Sequence, residues 1–383
     1  MYKNHLVIVF AIDHYNPLGA IRSLGENGIR PVYIAIRHRV ELGVKSKYVS
    51  KVYQVDNVEE GYQVLMDNYG EVYKTGEKPF VLFSDDKSVG YFDLHYNEVK
   101  DRFITYNANG IQGRIMEFMD KKNILDLAKK HGLNVLEPVV VNRGEIPEGL
   151  EYPIITKDIN PNSGGWKSDV FVCKNKEELR TAYTKISSPV VLLQKYVEKK
   201  TEFTFEGCSV NKGQSALFAI KSTYKYAIPA YYSPFMTCES LHDEKLKASL
   251  EGMLAEIGFE GIFEIEFLVD KDDNAYFLEI NFRNATWSYA ATRAGMPLPY
   301  IWVKGMLNEK IDKEDYKEVP SGFTAMVEPI DYAKRIELGL STPGEWLADF
   351  KKADCGFYYS EDDLEPFYEM VRNWDKLSYG LSI

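Results

Sequence analysis

Apolar and polar positions along the first hundred residues fall into blocks that read as strand, then helix, then strand. Residues 5–12, 31–36, 51–55 and 79–83 are short apolar runs bounded by turn residues, while 18–27 and 59–69 carry apolar positions at helical spacing. Strands alternating with helices predict a parallel sheet covered by helices, so residues 1–115 are expected to form an open α/β domain.

The texture changes near residue 116. Residues 116–131 predict a helix stopped by Gly132. Strands then dominate, at 139–141, 153–157, 169–173, 190–196, 202–210 and 216–221, with one helix at 177–186. A helix over 244–257 leads to strands at 261–269 and 275–281, and their short joint DKDDN predicts an antiparallel hairpin. This is an α+β pattern. A charged stretch follows residue 308, and 321–383 are expected to add a strand, turns and a helix near 364–374.

Composition narrows the class. A chain of 383 residues exceeds what one core accommodates, and 45% hydrophobic with 27% charged residues is a globular balance. The net charge of -11 disfavours nucleic acid as a partner. Cys173, Cys208, Cys238 and Cys355 stand far apart without C-x-x-C pairs, so buried thiols in a reducing compartment are expected. The amino-terminal apolar run ends at Asp13 and reads as a first strand, not a leader. No run approaches the roughly 18–20 apolar residues of a membrane span, so a cytoplasmic protein is expected.

The first strand is followed by DHYNPLG, which fits neither Gly-rich phosphate-loop pattern. SDD at 84–86 lies where ligands commonly sit in open α/β sheets, and the simpler expectation is a helix cap at Ser84 or Asp85.

The sharpest chemistry is in GIFEIEFLVDKDDNAYFLEINFR. Side chains alternate faces along a strand, so Glu264 and Glu266 share one face and Phe263, Ile265 and Phe267 the other. Glu279, Asn281 and Arg283 fall together on the returning strand. Magnesium takes oxygen ligands and uses one or two protein carboxylates beside substrate phosphates. Glu266, Glu279 and Asn281 supply that set, and Arg283 can brace a transferring phosphoryl group.

Glu266-Phe267-Leu268 followed by Glu279-Ile280-Asn281-Phe282-Arg283 resembles the metal-binding end of the ATP-grasp superfamily, which includes biotin carboxylases, carbamoyl phosphate synthetase large chains, D-alanine ligases and D-aspartate ligases. The usual Pro or Thr is Phe282 here. The resemblance implies a Rossmann-like pre-ATP-grasp domain (1–115), ATP-grasp subdomains at 116–200 and 201–310, and a small C-terminal extension (311–383). It implies ATP and magnesium as cofactors, with two ions and manganese as a substitute.

On the nucleotide side, Asp120-Lys121 resembles the opening of such domains and YPIITK their strand ending in a phosphate lysine, Lys157, though Asp158 replaces the usual Pro. Ser163, Gly164 and Gly165 resemble the mobile loop over the triphosphate. Gln194, Lys195, Tyr196 and Val197 resemble the hinge that meets adenine, and either Glu202 or Glu198 is implied for the ribose.

The implied reaction is phosphorylation of a carboxylate to an acyl phosphate, then attack by an amine, carried by positioning and charge neutralisation. Small-molecule carboxylate and amine substrates are the expected partners, with a homodimer admitted and no membrane partner. FLEINFRNATWSYA resembles the D-aspartate ligases in particular. A bicarbonate-activating enzyme and a non-catalytic nucleotide-binding subunit remain as alternatives. Two aromatic stretches, with Tyr224, Tyr226, Tyr231, Tyr232, Trp287 and Tyr289, are flanked by Lys221 and Arg293. Either they select substrate, those cations steering the carboxylate, or the aromatics are packing.

Overall fold

The computed structural model describes residues 5–159, 169–228 and 232–378. The anticipated phosphate loop at Ser163, Gly164 and Gly165, with Trp166, and Tyr231 of the first aromatic stretch lie outside the described residues.

The amino-terminal strands β1 (Val7–Ile12), β2 (Val32–Ile36), β3 (Lys51–Val55), β4 (Phe80–Phe83) and β5 (Ile104–Thr105) form a parallel sheet in the order β3-β2-β1-β4-β5. Its central strands are almost wholly buried, as strands covered by helices must be. The order reverses between β1 and β4. In open α/β sheets such a reversal is where ligands commonly sit, beyond the carboxyl ends of the strands.

β6 (Asn107–Ala108) leaves this sheet. An antiparallel sheet of four strands comes next, β7 (Val139–Asn142), β8 (Ile154–Asp158), β9 (Val172–Cys173) and β10 (Val190–Lys195), in the order β7-β10-β8-β9. It has its own apolar core, including Val141, Ile154, Leu179 and Val191. The large sheet contains β11 (Lys199–Val210), β12 (Ser215–Tyr224), β13 (Phe235–Glu239), β14 (Phe259–Asp270), β15 (Ala275–Asn281), β16 (Thr324–Met326) and β17 (Cys355–Gly356). Their order is β15-β14-β11-β12-β13-β16-β17, and β6 pairs with the start of β14.

Several elements differ from expectation. The helix anticipated at 116–131 is two helices, Arg114–Met119 and Lys121–Lys130. Asp120 breaks it with an extended backbone, its side chain accepting from Lys122 N at 2.9 Å and Asn123 N at 3.1 Å, as an N-cap does. The strand at Phe235–Glu239 and the helices Glu328–Glu337 and Pro343–Phe350 were not anticipated. Thr342 and Glu345 form a capping box before Pro343–Phe350, a signal legible in the text.

The carboxyl-terminal segment is locked onto the first helix, Tyr15–Glu26. Arg22 Nε donates to Asp363 Oδ2 at 2.9 Å, and its other nitrogens donate to the carbonyls of Phe357, Tyr358 and Asp363 at 2.8–2.9 Å. All four cysteines are buried and unpaired with one another. Among the described residues no helix is long and apolar enough to cross a membrane.

A candidate active site on the carboxylate face

Strand register builds the site. In β14 and β15, Glu264 stands opposite Asn281 and Glu266 opposite Glu279. On the other side of β14, Glu206 of β11 stands opposite Glu264 and Thr204 opposite Glu266. Directly opposed residues share a face, so the hairpin carboxylates extend into a row that crosses three strands. The reverse face is apolar, with Phe203 stacked on Phe267 at 4.9 Å and Phe205 and Phe277 against the same ring. That burial fixes the register, because a slip of one residue would turn the carboxylates inward.

The row is cross-linked. Asn281 Nδ2 donates to Glu264 Oε2 at 2.9 Å and to Glu266 Oε1 at 2.8 Å. Lys121 Nζ lies 3.3 Å from Glu279 Oε2. Arg283 Nε donates to Asp86 Oδ1 at 3.0 Å, and Nη1 is 3.6 Å from Glu264 Oε2. Asp86 therefore brings the amino-terminal domain to the site. Its neighbour Asp85 is the helix cap anticipated, accepting from Ser88 N at 2.8 Å.

Electrostatics divides the row. Burial, then the neighbouring carboxylates, pushes Glu264 and Glu266 well above the usual carboxylate range. Glu279 is held below it, chiefly by the Lys121 ammonium. Glu206 is fully buried, accepts from Ser288 Oγ at 2.8 Å, and is pushed up to about 7 by its burial. Glu206 was missed in the sequence, although the alternation in TEFTFE puts it on one face with Glu202.

The remaining candidate nucleotide residues come from β8, the end of β10 with the link after it, and the start of β11. Lys157, on β8, is pushed down by burial and by Lys121. The Gln194 side chain is buried and donates to Leu136 O at 2.6 Å. Lys195 is exposed at the end of β10, and Tyr196 N donates to Pro153 O at 2.9 Å, with Tyr196 and Val197 half-buried in the link to β11. Glu202 lies on the carboxylate face, 2.9 Å from Lys199 Nζ, whereas Glu198 is exposed outside the strands.

Two residues do not join them. Lys221 stands opposite Phe205 and Glu239, on the reverse face of the sheet. Its ammonium pairs with Glu239 at 2.8 Å and lies 5.0 Å over the Phe203 ring. Strand parity explains this, since Lys221 is one position out of phase with Ser222, which faces Thr204. Arg293 is exposed at the end of the helix Ser288–Arg293, and the groups acting on it are Tyr289, Cys355 and Glu26.

The aromatic residues divide as well. Tyr224 reaches the row, where burial and the charges of Glu202 and Glu266 raise it well above its usual range. Tyr226 donates to Asp331 at 2.5 Å, and the hydroxyls of Tyr232 and Tyr15 are 2.9 Å apart. Trp287 and Tyr289 belong to the main core.

The donor set is made of oxygens and carries carboxylates whose charge burial opposes, which fits a hard divalent cation. Among the described residues no three acidic, histidine or cysteine side chains form a ready-made metal cage. Magnesium shared with phosphates needs none.

No protein-family model matches the chain. D-alanine–D-alanine ligase of Fusobacterium nucleatum is 22% identical over 231 residues, 56% of this chain and 76% of that protein. The L-amino acid ligase of Bacillus licheniformis superposes with a TM-score of 0.63 at 12% identity, over 84% of this chain and 79% of its own. The biotin carboxylase domain of Hydrogenobacter thermophilus 2-oxoglutarate carboxylase, solved with MgADP, ADP and bicarbonate, gives 0.61 at 17% identity, over 82% and 73%. These likenesses show the fold: a Rossmann-like amino-terminal domain followed by a two-lobed ATP-grasp domain.

Proposed function

We propose that the chain is an ATP- and magnesium-dependent ligase that activates a carboxylate as an acyl phosphate and joins it to an amine, an amino acid or peptide. The observation that carries this is the row Glu266, Glu279 and Asn281, joined to Lys121 at one end and, through Glu264, to Arg283 at the other. Glu266, Glu279 and Asn281 would hold magnesium, two ions or manganese in their place. The bound metal neutralises phosphate charge and aligns the phosphoryl group.

The protein's own groups do the rest. Lys121 and Lys157 hold phosphate oxygens, and Arg283 faces charge developing on the transferred group. The link Gln194 to Val197 meets adenine through its backbone, and Glu202 takes the ribose. Ser163, Gly164 and Gly165 are assigned to the triphosphate by the resemblance alone. Likeness to the two ligases supports a C–N bond-forming reaction. A second reading, in which the carboxylate is bicarbonate, draws on the likeness to the carboxylase solved with that anion.

The experiment is a phosphate-release screen over carboxylate and amine pairs with ATP and magnesium, product masses recorded. Carboxylate-dependent ADP formation is expected. ATP left unconsumed with every carboxylate would sink the proposal, and turnover with bicarbonate alone would select the second reading.

A further inference from the structure

Arg283 is held by a residue from outside its own domain. Its Nε donates to Asp86 Oδ1 at 3.0 Å, and the two side chains are 16% and 27% exposed. Asp86 opens the helix Asp86–Leu94 after β4, with Asp85 as the N-cap. An acidic residue in the first turn of a helix commonly answers the helix dipole and nothing more. Asp86 goes further, because its carboxylate reaches a guanidinium 197 positions away.

Both partners are fixed in place. Asp85 Oδ2 accepts from Ile12 N at 3.0 Å and from Ser88 Oγ at 2.8 Å, which ties the start of the helix to the end of β1. On the other side, Asn284 N donates to Phe83 O at 3.1 Å and Asn284 Nδ2 to Asn16 O at 3.1 Å, so the residue after Arg283 is bonded to the end of β4 and to the segment that follows β1. A guanidinium is planar, with its donors in a fixed fork. Held at Nε by Asp86, and with Nη1 3.6 Å from Glu264 Oε2, its plane is set and Nη2 is the donor left for a phosphoryl oxygen. Charge agrees with this geometry. Burial works against the Arg283 cation, and Asp86, ahead of Glu264 and Glu266, more than offsets it.

We propose that Asp86 is a positioning residue for phosphoryl transfer, holding the Arg283 guanidinium from the amino-terminal domain so that Nη2 meets the transferred group. The inference rests on the ligase reading. It gives the amino-terminal domain a part in the chemistry without a Gly-rich phosphate loop after its first strand.

The test is a double-mutant cycle on the full-length protein, assayed for ATP consumption with magnesium and the carboxylate that drives phosphate release. Asp86→Ala should lower kcat about 30-fold, in the range for a lost charge-assisted hydrogen bond, and leave the KM for ATP within about threefold, as expected when an interaction made in the transition state is removed. Asp86→Asn keeps an acceptor oxygen in place and should lose only about fivefold. Lysine has no Nε for Asp86 to hold, so in an Arg283→Lys background Asp86→Ala should cost less than about twofold more. Equal fold losses in both backgrounds would mean that Asp86 acts independently of Arg283. A kcat for Asp86→Ala within about twofold of wild type would mean that the pair only fastens one domain to the other, and a loss confined to the KM for ATP would make Asp86 a nucleotide-binding group. Each of these three results overturns the proposal. Should Asp86→Ala not fold, Asp86→Asn in the two backgrounds carries the same test, about fivefold against none. Failure of the wild type to consume ATP with any carboxylate removes the ligase reading itself, a result distinct from the other three.

Discussion

Arg22 and Asp363 form an ion pair at 2.9 Å from which water is excluded, with side chains 0% and 1% exposed, joining the first helix to the carboxyl-terminal segment. Every nitrogen of the guanidinium has an acceptor, and Asp363 also accepts from Ser46 Oγ at 2.7 Å and Lys47 N at 2.9 Å. Removing one partner strands the other charge in the interior. Arg22→Ala is therefore expected to lose about 3–5 kcal/mol of folding stability, read from the denaturant midpoint. A loss below about 1 kcal/mol, the level of a surface pair, would show that the segment is loosely attached.

Glu279→Gln removes a charge at constant shape. Turnover should fall about 100-fold or more, with the magnesium dependence shifted upward and the far-ultraviolet spectrum unchanged. Wild-type ATP consumption at ordinary magnesium would defeat the metal assignment.

Lys221 and Arg293 provide the contrasting case. Both lie away from the row, so Lys221→Ala and Arg293→Ala should leave kcat and the KM of every substrate within about twofold, as surface substitutions generally do. Tyr224→Phe, which deletes a hydroxyl beside Glu202, should instead raise the KM for ATP. A tenfold effect of Lys221→Ala on any substrate would require the sheet to present its other face.

Asp13 gives a pH signature. It lies buried at the end of β1 and accepts from Gly43 N at 2.7 Å, Leu42 N at 3.0 Å and the Tyr33 hydroxyl at 3.1 Å. Burial still pushes it up to about 7. A carboxyl raised on folding contributes stability that is full below its unfolded value of about 4 and is lost as pH rises through the folded value. The stability of wild type minus that of Asp13→Asn should therefore fall between about pH 4 and 7 and level off above. A difference that is flat over this window would mean that Asp13 ionises normally.

The hairpin was legible because period two needs no distant information. The alternation in FEIEF and FLEINFR assigns faces from the sequence alone, and the register pairs Glu266 with Glu279 as that pattern requires. Glu206 obeys the same rule, yet its relation to Glu264 depends on β11 lying beside β14, a long-range pairing that local text does not announce. Lys221 went astray for the converse reason. Nearness along the chain to Tyr224 says nothing of face, and residues an odd number apart on a strand point opposite ways. The pairing of Asp86 with Arg283 joins residues 197 positions apart and was not foreseeable from either neighbourhood.

The strand pairing that stitches β6 to β14 joins the amino-terminal domain to the large sheet, whereas among the described residues the four strands β7 to β10 pair only with one another, around a separate core. Free energies of local opening follow such boundaries. The protein should thus keep two clocks in solution: amide protons of β11 and β14 exchanging only with global unfolding, and those of β8 and β10 exchanging sooner, through excursions of one limb that leave the rest of the molecule standing.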